Sequence, residues 1–197
     1  MRNDNETPDV EALKGQFMPL VDQGLFKART VLVTGEINDR QARAVSERLL
    51  AMAGESDDPI TVIVSSPGGH VESGDMIHDM IKFIKPRVRV LGTGWVASAG
   101  ALIYVSAERE DRYCLPNTRF LLHEPRGGVG GSATEIDIQA REVLKMRERL
   151  NKIFADATGQ PLDRIVKDTN RDHWMNAEEA KEYGVVGKII RSAAEIA

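Results

Sequence analysis

Ile60-Thr61-Val62-Ile63-Val64, followed at once by Ser65-Ser66-Pro67-Gly68-Gly69, is the stretch on which the fold turns. A short, nearly continuous apolar run marks a strand covered on both faces, as in a parallel sheet. Ser66-Pro67-Gly68-Gly69 then reads as a turn. Asp57-Asp58-Pro59 breaks the chain just before it. Upstream, Thr30 to Thr34 is β-branched and apolar and ends at Gly35. Asn38 is placed to cap a helix running to about Ala53, with Ala42, Val45, Leu49 and Met52 on one face. Downstream, a helix is predicted from about Gly74 to Ile84. Lys85-Pro86 stops it, because proline pushes its predecessor out of the α region. Val88 to Leu91 reads as a third strand, and Gly92-Thr93-Gly94 leads into a small-residue helix near Ser98 to Ala107. This β-α-β-α-β-α order argues for an α/β fold, with helices packed on a largely parallel sheet.

The second half reads differently. Thr118 to His123 looks extended, and Gly127-Gly128-Val129-Gly130-Gly131 carries no apolar periodicity. Ala133 to about Ala157 follows as one helical pattern, roughly 35 Å long at 1.5 Å per residue. That exceeds what a small domain needs and suggests a projection that packs on something, such as another subunit. Gly159 is suited to close this helix and Pro161 to open a short one. Asn176 and Glu179 form a capping-box pattern for a helix ending at Gly184, and Val185 to Ile190 closes with a short strand.

Composition narrows the class. The chain has 197 residues, 42% hydrophobic and 28% charged, which excludes a collagen-like or mostly disordered protein. No apolar run approaches the ~20 residues of a membrane-spanning helix. Twenty-six Lys and Arg against 30 Asp and Glu leave a net charge of −4, which gives no support for nucleic-acid binding. The one cysteine, Cys114, lies in an apolar stretch and reads as a buried small hydrophobe. Met1 to Glu11 has neither the basic-then-apolar order of a secretory signal nor the Arg-rich character of a transit peptide. A frayed terminus and a cytoplasmic location are expected.

Several chemistries find no support. There is no G-x-x-x-x-G-K-[ST], so the chain is not expected to hydrolyse ATP itself, and no G-x-G-x-x-G follows a strand. His70 and His78 flank Asp75 and Asp79, but the spacing and the absence of a nearby cysteine argue against a metal. One constellation survives. Gly94-Trp95-Val96-Ala97-Ser98-Ala99-Gly100 puts a serine where a Gly-rich loop enters a helix, beside N–H groups free to face an oxyanion. A serine chosen for packing or capping is the competing reading. Val96 stands where the G-x-S-x-G elbow has glycine, which argues against an α/β-hydrolase. His123 ends an apolar strand and reads equally as a structural histidine. Gly68-Gly69 is either a plain turn or a donor of N–H groups to a carbonyl oxygen. Asp172 alone is an ordinary loop acid, and Asp168 serves as well on chemistry alone.

Taken together, Ser65 to Gly69, Gly94 to Gly100, Leu122-His123-Glu124-Pro125-Arg126-Gly127-Gly128, and Arg171-Asp172 ahead of Met175 to Ala180 and Tyr183-Gly184 resemble the proteolytic subunit of the Clp protease. The resemblance covers about residues 30–190; each motif is weak alone, and the four in register are specific. It implies a serine peptidase with a crotonase-like spiral head of ββα units and a handle, about residues 124–158, made of a strand and a long helix. Residues 25–197 would form one domain after a flexible segment 1–24. It further implies Ser98 as nucleophile, His123 as general base and then acid, and Asp172 as the group orienting the imidazole. The N–H groups of Gly69 and Ala99 would form the oxyanion hole. No cofactor or metal is implied.

The expected partners are a second seven-membered ring of the same kind, a separate hexameric AAA+ unfoldase of the Clp type, and unfolded polypeptide as substrate. Arg171 resembles a position that contacts the opposite ring, near Glu135. Glu124 stands where the family usually has glutamine, and its carboxylate is expected to ease protonation of His123. Ala99 replaces a frequent methionine but still supplies an N–H. Residues 1–24 match the family's apolar pore segment poorly. Of the rim positions that receive ATPase loops, Phe83, Tyr113 and Leu115 fit, whereas Thr61 and Ile63 do not. Three other readings stay open: a crotonase-type acyl-CoA enzyme that needs no Ser98, a membrane protease of the signal-peptide-peptidase kind, and an inert ring subunit.

Overall fold

Side-chain caps start three of the α-helices. A computed structural model describes residues 20–128 and 130–196. Residues 1–19 of the expected flexible segment lie outside them. Residues 20–27 are helical (α1), tied to the head by Asp22 and Arg48 at 2.9 Å. The order continues β1 (Thr30–Ile37), α2 (Asp39–Glu55), β2 (Ile60–Gly69), α3 (Val71–Phe83), β3 (Val88–Ala97), α4 (Ala99–Tyr104), β4 (Arg112–Cys114) and β5 (Arg119–Leu122). Then come α5 (Ala133–Thr158), α6 (Leu162–Thr169), β6 (His173–Met175), α7 (Ala177–Tyr183) and β7 (Lys188–Ile189). Asn38 accepts the Gln41 N–H and starts α2, whose inward residues are Ala42, Val45, Leu49 and Met52. Ser132 with Glu135, and Asn176 with Glu179, form reciprocal capping boxes on α5 and α7. Gly159 and Gly184 end those helices in the left-handed conformation.

The strands form one seven-stranded sheet, with parallel order β1-β2-β3-β4-β7. The strands outrun the sequence expectation. β2 continues through the predicted turn to Gly69, and β3 continues past Leu91 to Ala97. Two pairings shift register midway: β1 with β2 between Thr34 and Glu36, and β2 with β3 between Val64 and Ser66. The first half of β3 pairs with β4 (Val90 to Gly92), and its second half pairs with β5 (Trp95 to Ala97). One strand thereby feeds two differently oriented neighbours. Periodicity missed this because Ser65 to Gly69 in β2, and Gly92 and Gly94 in β3, interrupt the apolar pattern; these halves are held by their partners. Ser66 supports the change of register. Its buried Oγ donates to Gly35 O at 2.6 Å and accepts the Gly68 N–H at 3.0 Å.

Apolar side chains of β1 to β3, α2, α3, α4 and α7 form the core, and Cys114 lies inside it as expected. Burial pushes its thiol up to about 12. Helix α5 is 26 residues long. Its C-terminal end is anchored by buried Leu150 and Phe154, while Ile136, Ile138, Val143 and Leu144 nearer its start are exposed. The strand expected before it, within residues 124–131, is not formed among the described residues. A glycine-rich stretch loses much backbone entropy on becoming extended, and it has no ladder partner among the described residues to compensate.

Candidate active site

The C-terminal ends of parallel strands are where sheet folds of this kind hold their ligands, and β3 and β5 end side by side. Ala97 lies opposite Leu121, and the Ser98 N–H donates to Leu121 O at 2.9 Å. Ser98 therefore sits next to the end of β5, and His123 is the first residue beyond that strand. Two bonds hold the far side of His123. Leu122 pairs antiparallel with His173, and the Glu124 N–H donates to Thr169 O at 2.7 Å. The α6–β6 loop carrying Asp172 is thus brought to the imidazole by backbone pairing on both sides.

Ser98 is held in a strained conformation, φ 56° and ψ −123°, at the junction of β3 and α4. A non-glycine residue here is unfavourable by roughly 1–3 kcal/mol, and such strain concentrates at functional sites. The glycine of the G-x-S-x-G elbow is missing, yet the same strand–sharp turn–helix arrangement is present. Gly68 makes it possible: at φ 97°, a Cβ there would lie 2.5 Å from Ser98 Cβ and 3.1 Å from its Oγ. At Gly69, a Cβ would lie 2.2 Å from Ile37 O. The His70 N–H donates to Ile37 O at 2.9 Å and the Gly68 N–H to Ser66 Oγ. Neither bond uses the intervening Gly69 N–H. Ala99 is the first residue of α4, so its N–H has no intrahelical acceptor.

Ser98, Ala99 and His123 line one small apolar pocket with Val71, Leu102, Pro125, Leu150 and Phe154. The last two come from the anchored end of α5. Their spacing of four marks them as one apolar helix face in the sequence, but the sequence reading did not connect that face with the site.

Burial first, and then the Arg126 cation, hold the His123 imidazole below the usual histidine range; Asp172 and Glu124 oppose this weakly. Glu124 eases protonation, as expected, but burial and Arg126 outweigh it, so the net shift is downward; its carboxylate also pairs with Arg147 at 3.2 Å. Asp172 lies in the site, but its carboxylate pairs with Arg126. His123 Nδ1 is buried and has no hydrogen-bond partner among the described residues. Asp168, chemically equivalent in the sequence, instead accepts from Tyr183 Oη at 2.8 Å. Arg171 donates to Asn170 O, and Glu135 caps α5. His70 and His78 engage separate neighbours, Ser73 at 2.8 Å and Asp79 at 3.0 Å. Arg126 was not singled out in the sequence, because an arginine beside a glycine run carries no motif.

A family model described as Clp protease matches residues 14–193. A protein of Rhizobium etli named ATP-dependent Clp protease proteolytic subunit 3 is 59% identical over 197 residues, covering 98% of this chain and all of that one. A Pseudomonas aeruginosa protein named ATP-dependent Clp protease proteolytic subunit 2 is 58% identical over 171 residues, covering 87% of this chain and 85% of that one. The solved structure of ClpP1 from Listeria monocytogenes superposes with a TM-score of 0.82 at 51% identity, covering 90% of this chain and 99% of that one. A match of this extent in family model, sequence and α/β fold leads to one conclusion: the chain belongs to the Clp protease family, as a proteolytic subunit.

Proposed function

We propose that the chain cleaves peptide bonds through Ser98, His123 and Asp172. The observation that carries this is the placement of a strained serine beside a partly buried, neutral-leaning imidazole in one pocket. Ser98 Oγ attacks the carbonyl carbon of the scissile bond as His123 takes its proton. The oxyanion that develops meets the N–H groups of Gly69 and Ala99. His123 then returns the proton to the leaving amine, and water releases the acyl-enzyme by the same route. One oxyanion donor is typically worth ~10²–10³ in rate. Asp172 stabilises the imidazolium when it is turned toward Nδ1. The apolar pocket wall suits an uncharged side chain next to the scissile bond.

The assembly follows the same reading. Two stacked seven-membered rings, joined through the α5 handles, would cover Ile136, Ile138, Val143 and Leu144, which are exposed in the single chain. Arg171 and Glu135 would meet across that contact. A separate hexameric AAA+ unfoldase and unfolded polypeptide are the partner and substrate of this reading; the words "ATP-dependent" in the relatives' names support the dependence on ATP. Among the described residues, no helix is long and apolar enough to cross a membrane.

The test is a fluorophosphonate probe applied to wild type and Ser98→Ala, followed by intact mass. One adduct on wild type and none on the variant is expected. A fully assembled wild type that takes no adduct would favour the inert ring subunit or the acyl-CoA reading.

A further inference from the structure

We propose that Arg126 is a positioning residue that controls the site through Asp172, holding the carboxylate off His123 until the arm that carries it moves aside. This rests on the serine-peptidase reading above. The primary observation is a mismatch of partners. Asp172 has a cation to pair with, whereas the buried nitrogen it would serve, His123 Nδ1, has no hydrogen-bond partner among the described residues. Buried polar atoms are nearly always satisfied, and an orphan at a functional site calls for an explanation. Glu124 offers no substitute acceptor, because Arg147 of α5 already holds it.

The energetics favour a switch over a lock. Arg126 and Asp172 are both substantially exposed, and exposed ion pairs are worth little. An unsatisfied buried nitrogen is expensive by comparison. The pair with Arg126 therefore holds Asp172 only weakly against the pull of His123 Nδ1, and modest events can exchange the two partners. The chain around Arg126 is built for movement. Gly127 and Gly128 follow it, and a Cβ at either would meet nothing within 4 Å. The arm then leads directly into α5, so a change in what α5 packs against is felt at Arg126. The charges facing His123 are Arg126 and Glu124 from the arm and Asp172 from the α6–β6 loop, with Arg147 of α5 acting through Glu124. Release of Arg126 removes one repulsive cation and frees one stabilising anion. Both changes raise the affinity of His123 for a proton.

The experiment compares assembled full-length wild type with Arg126→Gln, Arg126→Lys, Asp172→Asn and the Arg126→Gln/Asp172→Asn double variant. It measures kcat and KM on a short fluorogenic peptide, the pH dependence of kcat/KM, and the rate of fluorophosphonate labelling. Sedimentation checks that all five are the same size. Arg126→Gln is expected to raise kcat by at least about 5-fold, the lower end of ordinary coupling between sites, with little change in KM. Its acid limb moves to higher pH, and Arg126→Lys falls between it and wild type. The gain disappears in the Asp172→Asn background. An unchanged kcat and acid limb in Arg126→Gln, with wild type active, overturns the latch alone. A gain that survives Asp172→Asn does so too, because Arg126 would then act by another route. No labelling in any assembled variant overturns the peptidase reading and the latch with it.

Discussion

The two halves of β2 are made by different physics. Ile60 to Val64 alternates buried and half-buried apolar positions, and its partners are in simple parallel register with β1 and β3. Ser65 to Gly69 is polar and glycine-rich, follows a change of register, and runs beside Ser98. The first half is held by burial. The second is held by close backbone approach, with Ser66 bonding across it and no room for a side chain at Gly68 or Gly69. β3 repeats the division, apolar to Leu91 and site-forming from Gly94. Stability and chemistry thus lie on the same strand but in separate segments, so damage to one half should leave the other measurable.

The sharpest break in that comparison is Gly68→Ala. The new methyl group would sit 2.5 Å from Ser98 Cβ, and the residue would keep a positive φ. We expect at least ~10² loss in kcat/KM, comparable with losing an oxyanion donor. The expected loss of folding stability is roughly 1–2 kcal/mol, the scale of backbone strain. Steady-state kinetics beside thermal unfolding would test it; a variant as active as wild type would show that Ser98 need not hold this position.

Ile60→Ala is the converse change on the same strand. Ile60 is fully buried, and a truncation of this kind is destabilising by about 2–5 kcal/mol. For a chain of this size each kcal/mol lowers Tm by roughly 2–4 °C. Fluorophosphonate labelling at 25 °C, where the protein remains folded, should stay within about 2-fold of wild type, below the ~5-fold that ordinary coupling between sites begins at. A large loss of labelling without a loss of Tm would erase the division between the two halves.

The smallest effect is in pH. Burial and Arg126 lower the proton affinity of His123, so the neutral base persists to lower pH than in a free imidazole. The acid limb of kcat/KM is expected below the reference value of ~6.5. A limb above that value would mean that Asp172 already sits on Nδ1 in the working enzyme.

Much of this was legible locally. Asn38, Asn176, Gly159 and Gly184 announce helix ends because a cap involves only a few consecutive residues. The apolar face of α2 follows from its period alone. The Ser98 turn was visible as a serine among small residues, although its strain was not, since that depends on Gly68 lying across it. Val71, Leu150 and Phe154 gave no sign of lining the same pocket, because core residues on different helices look alike in one dimension.

By itself the sequence determined the α/β order, the starts of α2, α5 and α7, the long projecting helix and, through four motifs in register, the family. These depend on local hydrogen bonding, on periodicity and on residue types at fixed spacing. Only the tertiary structure decided that β2 and β3 continue into the site, that Asp172 and not Asp168 lies by His123, and that Arg126 occupies the Asp172 carboxylate. Each of those depends on which strands and loops pair across long stretches of chain. Local propensity cannot specify such pairing, because the energy that selects it comes from the partner.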